Sequence, residues 1–289
     1  MTDTATKKRA KTGLRGLLNS RTATAGAVIL ICLVVLAAFA PLIAPHDPAK
    51  QDLRARLAPP AWVAKGSITH LLGTDQLGRD ILSRVIYGTR ISLLVGVSVV
   101  LLASTVGTLL GLLAGFLGGR VDALLMRIVD VFLAFPFLLL AIVIMAMLGA
   151  SLTNIILVLA ITGWVDYARV VRSQVLSVRE LEYITAAKAL GARNPVIMLK
   201  HILPNVVASV IVIGSLQLGS VIIAEASLTF LGLGIPPSIP TWGSMLASGR
   251  EYFVLAWWLP TFPGIAIVLT VLSVNFLGDW LRDVFDPTL

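Results

Sequence analysis

The chain alternates long uncharged stretches with short polar segments. The uncharged stretches cover residues 22–46, 91–119, 131–165, 202–224, 226–249 and 252–278. A helix needs about 20 apolar residues to cross the hydrocarbon core of a bilayer, so each stretch is long enough to contain a membrane span. The pattern therefore predicts an all-α membrane protein.

Three of these stretches do not correspond to one span each. Residues 131–165 are too long for one crossing and contain a polar turn at 149–154, so we expect two spans there. Only Glu225 separates 202–224 from 226–249, and the latter ends in a segment rich in glycine and proline, so we expect one span and a loop. The sequence thus predicts six transmembrane helices, at 23–44, 91–117, 125–148, 153–171, 205–231 and 254–278.

Composition agrees with a membrane protein. Apolar residues make up 57% of the 289 residues, charged residues make up 13%, and the mean hydropathy is +0.92. The charged fraction is about half that of an ordinary soluble domain, which excludes a soluble enzyme and a disordered chain. The single cysteine, Cys32, excludes an intramolecular disulfide.

The basic residues predict the topology. The net charge is +8, and six Lys and Arg residues lie in the tail before residue 22. By the positive-inside rule this tail is cytoplasmic, and an even number of spans places the C-terminus on the same side. Membrane lipid explains the positive charge better than nucleic acid, because no basic patch is interleaved with exposed aromatic residues.

The expected organisation has four parts. They are a cytoplasmic tail at 1–22, the first transmembrane helix with an extracytoplasmic segment at 23–90, a five-helix core at 91–278 with a cytoplasmic loop at 172–204, and a cytoplasmic tail at 279–289. In the extracytoplasmic segment, residues 75–88 have apolar positions at helical spacing and two acid-before-base pairs at i,i+4. This pattern predicts a short amphipathic helix that packs on the surface of the bundle.

The chain lacks the motifs of an energy-converting enzyme. It has no Gly-Lys dipeptide and therefore no phosphate-binding loop, and it has neither an H-E-x-x-H nor a G-x-S-x-G motif. Its three histidines, His46, His70 and His201, are not at metal-ligand spacing. We therefore expect no catalytic residue, no metal and no cofactor in this chain.

Few charged residues lie inside the predicted spans. Arg127 with Asp130 and Asp166 with Arg169 are spaced i,i+3 near the cytoplasmic interface, and we expect each pair to be mutually neutralised. Glu225 has no partner nearby in the sequence. A buried unpaired carboxylate is costly in a membrane, so Glu225 is the leading intramembrane candidate, with Asp130 as a second. We expect Glu225 to line a pathway or to bond a helix of a partner subunit.

The cytoplasmic loop between the fourth and fifth spans contains a predicted short helix. Apolar residues recur every three positions there and indicate one apolar face. They are Leu181, Ile184, Ala187 and Leu190. Gly191 is suited to end the helix in a left-handed conformation, and Pro204 to the first turn of the next helix. A helix of this kind either inserts into a groove of another protein or lies on lipid, and the residues alone leave both open.

This loop resembles the EAA loop of ABC importer permeases, in which E-A-A-x-x-x-G is followed after nine residues by I-x-L-P. The corresponding residues here are Thr185, Ala186, Ala187, Gly191, His201, Leu203 and Pro204. Thr185 stands in place of the usual acid and His201 in place of isoleucine. The spacing from Gly191 to Pro204 is intact.

Two further regions resemble one particular subgroup of these permeases. Residues 72–84 are similar to the segment after the first span in the C-type permease of dipeptide, oligopeptide and nickel importers. Residues 225–234, 242–243 and 277–287 match the C-terminal half of the same family. The similarity covers nearly the whole chain after the N-terminal tail.

The resemblance implies the type I ABC importer permease fold in a bacterial inner membrane. It also implies half of a translocation path for short peptides, completed by a homologous B-type permease, with two ABC ATPases that bind ATP and Mg and an extracytoplasmic substrate-binding protein. The coupling helix around 182–195 would lie in a cleft of one ATPase and convert nucleotide-driven closure into alternating access. The implied coupling residues are Tyr183, Thr185, Ala186, Ala187, Leu190, Gly191, His201, Leu203 and Pro204.

A stand-alone secondary transporter or channel is the alternative interpretation, and a structural membrane protein is a third. A secondary transporter usually shows internal repeats, and no convincing repeat relates the halves of this chain. The resemblance leaves the cargo open among dipeptides, oligopeptides, nickel chelates, glutathione and haem.

Overall fold

The structure is a computed structural model, and it describes residues 16–18 and 20–285. The main helices are α1 (Arg21–Ala38), α2 (Ile81–Leu117), α3 (Gly119–Leu133), α4 (Phe137–Leu148), α5 (Leu152–Val178), α6 (Glu182–Ala189), α7 (Leu203–Phe230), α8 (Trp242–Gly249) and α9 (Trp258–Phe285). Short helical turns lie at Ala40–Ile43, Leu53–Ala55, Asn194–Val196, Ile197–Ile202 and Arg250–Tyr252.

Five helical segments in the described part of the chain are long and apolar enough to cross a membrane. They are α1, α2, α5, α7 together with the turns that precede it, and α9. The pair α3 and α4 gives a sixth crossing when its two halves count as one span. The prediction of an all-α membrane fold is confirmed.

The predicted third span, 125–148, is wrong as a single helix. It is broken between α3 and α4, which are bent by 85° relative to each other. Pro136 causes the break, because it has no amide hydrogen and its ring would clash with the carbonyl oxygen of Phe132 in a continuous helix. The polar turn expected before the fourth span is present, and Ser151 caps α5 by accepting a hydrogen bond from the Asn154 amide at 3.0 Å.

The amphipathic helix predicted at 75–88 is also wrong as a separate element. α2 begins at Ile81 and continues to Leu117, so the second half of the predicted helix and the second span form one helix. Asp80 caps this helix by accepting a hydrogen bond from the Ser83 amide at 2.8 Å.

The residues just before α2 form a turn that contains a buried ion pair. Arg79 donates from Nε to the Asp75 carboxylate at 2.6 Å, so one of the two predicted i,i+4 pairs is present without a helix. The second pair is absent among the described residues, because Asp80 is used by the helix cap and Arg84 lies 3.8 Å from Asp75 instead. The ion pair thus fixes the conformation of the backbone that leads into α2.

A stripe of glycines lets α2 pack closely against α5. A Cβ atom at Gly111 would lie 2.5 Å from the Ala168 carbonyl oxygen, and one at Gly115 would lie 2.7 Å from Val175 Cβ. Gly107 lies four residues before Gly111 and is equally close to α5. Small residues at this spacing let helix backbones approach each other inside a membrane.

The ends of the described chain lie together. The helices alternate in direction, and a Cβ atom at Gly16 would lie 3.7 Å from Trp280 Nε1 near the end of α9. The opposite end of the bundle carries the segment 44–80, and Trp258 at the start of α9 donates from Nε1 to the Thr74 carbonyl oxygen at 3.1 Å. The loop between α5 and α7 therefore lies at the same end as both described ends of the chain.

Candidate functional site

The loop between α5 and α7 carries α6, a helix of eight residues. Gly191 ends it with φ +82°, and the amides of Ala192 and Gly191 donate to the carbonyl oxygens of Ala187 and Lys188, both at 3.0 Å. This hydrogen-bond pair is the Schellman motif, which needs a left-handed residue at the glycine position. The predicted helix end at Gly191 is confirmed.

Three contacts hold α6 against the bundle. Ile184 is fully buried in an apolar cluster with side chains of α2, α5 and α7. Lys188 Nζ lies 5.5 Å from the centroid of the Phe116 ring, a cation–π contact with α2. Asn205 donates from Nδ2 to the Tyr183 hydroxyl at 3.1 Å. These contacts attach α6 to the ends of both α2 and α7.

The single apolar face predicted for α6 is wrong in part. Ile184 points inward, whereas Leu181 is exposed and Leu190 is 88% exposed. An α-helix turns by about 100° per residue, so positions three apart fall about 60° short of a full turn at each step. Over the three steps from Leu181 to Leu190 these offsets add up to about half a turn, so the two side chains project from opposite sides of the helix. The exposed side of α6 therefore carries Thr185 and Ala186, with Leu190 and Gly191 at its tip.

The second half of the motif leads into α7. Ile197–Ile202 is a π-helical turn whose two end residues are fully buried beneath α6. Leu203 packs at the edge of the same cluster, His201 is half-buried, and Pro204 lies in the first turn of α7 as predicted. The stretch from Gly191 to Pro204 thus contains a turn that packs against the bundle through its two buried ends and continues into α7.

Two arginines near the end of α5 stabilise the same end of the bundle. Arg172 donates from Nε and Nη2 to the Asp122 carboxylate, each at 2.5 Å, and links α5 to α3. Arg179 donates from Nη1 to the Gly115 carbonyl oxygen at 2.7 Å and links the end of α5 to α2. The sequence gives no local signal for the Arg172–Asp122 pair, because its members lie 50 residues apart.

Glu225 is only 1% exposed and is buried within its own chain. Its Oε1 accepts a hydrogen bond from the Thr229 hydroxyl at 3.0 Å, and that hydroxyl accepts one from the Ile235 amide at 3.2 Å. The expectation that Glu225 has no partner nearby in the sequence is wrong for one oxygen, because Thr229 at i+4 lies on the same helix face. The other oxygen, Oε2, is buried without a hydrogen-bond partner among the described atoms. Glu225 joins α7 to the loop before α8, and it exposes almost no surface to a pathway.

The two expected i,i+3 charge pairs do not form. Among the described residues, neither Asp130 nor Asp166 lies within 4.0 Å of a basic side-chain nitrogen. Asp130 and Arg127 are both exposed on α3. Asp166 turns instead toward α7, where Gln217 donates from Nε2 to its carboxylate at 2.8 Å.

Asp166 and Gln217 line a cavity of about 300 Å³ between α2, α5, α7 and the break in the third span. Aromatic side chains at the break form one wall. They are Phe132, Phe135 and Phe137. Tyr167 also lines the cavity, and its buried hydroxyl has no hydrogen-bond partner among the described atoms. The prediction of an unbroken third span gave no indication of this cavity.

Three potential metal ligands meet at the opposite end of the bundle. One ligand atom each from His46, His70 and Asp80 lies within 4.8 Å of the others, and His70 Nδ1 lies 3.0 Å from Asp80 Oδ1. Sequence spacing could not show this cluster, because its members belong to three separate segments. Since Asp80 also caps α2, these contacts hold the segment 44–80 on the end of the bundle.

Two family profiles match the sequence. The profile described as the inner membrane component of binding-protein-dependent transport systems matches residues 107–289. The profile described as the N-terminal TM domain of oligopeptide transport permease C matches residues 10–60. The first profile covers more than half of the chain and includes α6, the π-helical turn and Glu225.

Curated relatives are similar over nearly the whole chain. The di/tripeptide transport system permease protein DppC of Pseudomonas aeruginosa is 45% identical over 271 residues, which are 94% of this chain and 89% of the relative. The probable D,D-dipeptide transport system permease protein DdpC of Escherichia coli is 44% identical over 261 residues, 90% of this chain and 86% of the relative. The dipeptide transport system permease protein DppC of Bacillus subtilis is 41% identical over 276 residues, 95% of this chain and 84% of the relative.

A solved structure supports the fold. A chain of the MetNI methionine ABC transporter, in an inward-facing conformation, aligns with a TM-score of 0.56 and 19% identity. The alignment covers 70% of this chain and 96% of that chain. At this level of identity the match concerns the fold alone.

The helical bundle with a short exposed helix between two spans, together with these matches, defines a membrane transport subunit. The chain belongs to the family of inner-membrane components of binding-protein-dependent transport systems, and it is a permease subunit of an ABC importer. Such a subunit is a transport component rather than an enzyme, and it carries no cofactor of its own. Membership implies that it works with a second permease, ATPase subunits and a binding protein.

Proposed function

We propose that this permease forms half of the translocation path for short peptides and works by alternating access. Its relatives at 41–45% identity are named as permeases for dipeptides, for di- and tripeptides and for D,D-dipeptides, which supports this class of cargo. The profile that matches residues 10–60 is named for an oligopeptide transport permease, which supports the same class of cargo.

The position of α6 is the main support for the proposed mechanism. It is held to α2 and α7 on one side, by Phe116 and Asn205, and it exposes Leu190 and Gly191 on the other. A short helix with an uncovered apolar tip and a rigid connection to two spans is suited to transmit the motion of a partner. The partner in this proposal is one ABC ATPase, into whose cleft α6 inserts.

The coupling residues divide into two groups. Thr185, Ala186, Leu190 and Gly191 form the exposed surface that contacts the ATPase, together with the half-buried Ala187. The remaining members position α6 and pass its displacement to α7. They are Tyr183, His201, Leu203 and Pro204.

The energy comes from two ATPase subunits that bind ATP and Mg²⁺, because this chain has no phosphate-binding loop. A homologous B-type permease completes the path, and an extracytoplasmic binding protein delivers the peptide. Asp130 is exposed on α3, and the proposal assigns it to the contact with the second permease. Glu225 supports the path indirectly, by fixing the loop before α8.

The chain lies in a bacterial inner membrane with both termini in the cytoplasm. The basic tail at 1–22 supports this orientation, and it places the loop at 172–204 on the ATPase side. The segment 23–90 then provides the first span and the extracytoplasmic contacts, 91–278 the permease core, and 279–289 a cytoplasmic tail.

The test is uptake of a labelled dipeptide into proteoliposomes. The vesicles contain either this chain alone or the chain assembled with its second permease and both ATPases, with binding protein supplied outside. Uptake that needs every subunit and ATP is the expected result. Uptake by this chain alone, driven by an ion gradient, would instead identify a secondary transporter and overturn the proposal.

A further inference from the structure

Asp166 has an unusual position for an acidic side chain. It lies near the middle of α5, a 27-residue helix that qualifies as a membrane span, and it is exposed rather than buried. Ionisable residues at this depth are costly, and they face the interior of a bundle or a water-filled cavity. Asp166 follows this rule, because it lines the cavity between α5 and α7.

The Asp166 carboxylate has no cationic partner among the described residues. Arg169, the expected partner, is not within 4.0 Å, and the polar contact that the carboxylate makes is with the neutral Gln217 amide at 2.8 Å. An amide donor orients a carboxylate but does not neutralise its charge. The carboxylate therefore keeps its capacity to bind a cation.

The rest of the cavity fits the end of a peptide. Tyr167 adds a further aromatic residue to the lining of the cavity. The aromatic side chains at the break in the third span provide an apolar wall. A volume of about 300 Å³ is at the small end of the range for ligand pockets, which suits one terminal residue rather than a whole oligopeptide.

We propose that this cavity is a transit site for the protonated amino terminus of a peptide, with Asp166 as the counter-ion and Gln217 as the residue that orients it. The proposal rests on the proposed function, since it specifies which part of a peptide cargo this subunit binds. A protonated amine donates up to three hydrogen bonds. The Asp166 carboxylate and the Gln217 side-chain oxygen are acceptors at the cavity edge.

Binding is tested first on the purified assembly of both permeases and both ATPases, without the binding protein, so that selection by that protein plays no part. Saturation-transfer NMR compares dialanine with N-acetyl-dialanine, which lacks the ammonium group. We expect a signal for dialanine with the wild type, a signal about tenfold weaker or absent for the acetylated peptide, and loss of the dialanine signal in Asp166→Asn. No dialanine signal with the wild type, equal signals for both peptides, or an unchanged signal in Asp166→Asn would each overturn the proposal.

Transport separates a binding role from a structural one. In proteoliposomes, Asp166→Asn should lower dialanine uptake per ATP hydrolysed by about tenfold, while ATP hydrolysis and subunit assembly stay near wild-type levels. Asp166→Glu should restore part of the uptake, and Glu251→Gln, which removes an exposed carboxylate remote from the cavity, should have no effect.

The remaining outcomes are also decisive. If Asp166→Asn prevents co-purification of the second permease, Asp166 pairs with a cation of that subunit and the transit site is wrong. If the wild-type assembly transports dialanine and Asp166→Asn does so equally well, the transit site fails while the proposed function stands. If the wild-type assembly does not transport dialanine, the proposed function itself fails.

Discussion

The Thr229 hydroxyl forms hydrogen bonds with two buried groups, Glu225 Oε1 and the Ile235 amide. Thr229→Val would remove both hydrogen bonds, at a cost of about 1–3 kcal/mol for each buried group that loses its bond. We expect this variant to lower the melting temperature of the purified permease assembly by several degrees in a thermal unfolding assay. Thr229→Ser keeps the hydroxyl and should stay close to the wild type. A valine variant as stable as the wild type would show that Thr229 does not support Glu225.

Gly191 adopts a left-handed conformation that costs other residues roughly 1–2 kcal/mol. Gly191→Ala should therefore loosen the end of α6 and lower the amount of peptide transported per ATP hydrolysed. Gly149 is a matched control, because it has the same φ of +82° and no described atom within 4 Å of an added methyl group, but lies in the loop between α4 and α5. If both alanine variants impair coupling equally, the effect does not come from α6.

Residue roles could be predicted where the signal is local. Gly191 and Pro204 were predicted correctly, because a helix end and a helix start depend on the nearest few residues. The Arg172–Asp122 pair and the contact of Asp166 with Gln217 were missed, because both join residues at least 50 positions apart. The sequence shows which charged and polar side chains are present, but not which of them contact each other in the fold.

At the scale of elements, the contact between α2 and α5 depends on small side chains. Gly111→Ala would place a methyl group 2.5 Å from the Ala168 carbonyl oxygen and force the two helices apart. We expect a clear loss of thermal stability in the purified assembly. Gly264→Ala on α9 is the control, because a methyl group there would meet no described atom within 4 Å. Equal stability of the two variants would contradict close packing of α2 on α5.

The exposed tip of α6 can be altered without disturbing the bundle, because Leu190 is 88% exposed. Leu190→Asp should leave thermal stability unchanged but weaken retention of the ATPase subunits during purification, and it should reduce peptide uptake. Val254, which is 94% exposed in the loop between α8 and α9, provides a control of equal exposure. ATPase retention by Val254→Asp should match the wild type, and normal retention by Leu190→Asp would contradict the docking role.

Hydrophobic length predicted which elements exist better than where they end. The apolar stretches correctly indicated the spans, because a bilayer requires about 20 apolar residues whatever the fold. The break at Pro136 was missed, although the proline was visible, because the apolar pattern continues through it. α2 was predicted as two elements because its first turns contain polar residues, yet these turns are buried, with Ile81 packed against α8 and the start of α9.

At the scale of the whole molecule, the structure separates two regions that transport would have to connect. The cavity with Asp166 lies within the bundle, and α6 lies at one end of it. Both are attached to the same pair of helices, α5 and α7, and in the proposed mechanism movement of the loop between these helices changes the walls of the cavity. This arrangement could not be predicted from the sequence, because the cavity requires the broken third span and the packing of four separate segments.

In the proposed mechanism, a partner ATPase moves this permease through α6. The most direct measurement is photo-crosslinking in the purified assembly, with a photoreactive amino acid in place of Leu190 and, as a control, in place of Val254. We expect a crosslink from position 190 to an ATPase subunit, identified by mass spectrometry, and none to the ATPases from position 254. Crosslinks from position 190 to lipid alone, in an assembly that still hydrolyses ATP and imports peptide, would contradict it.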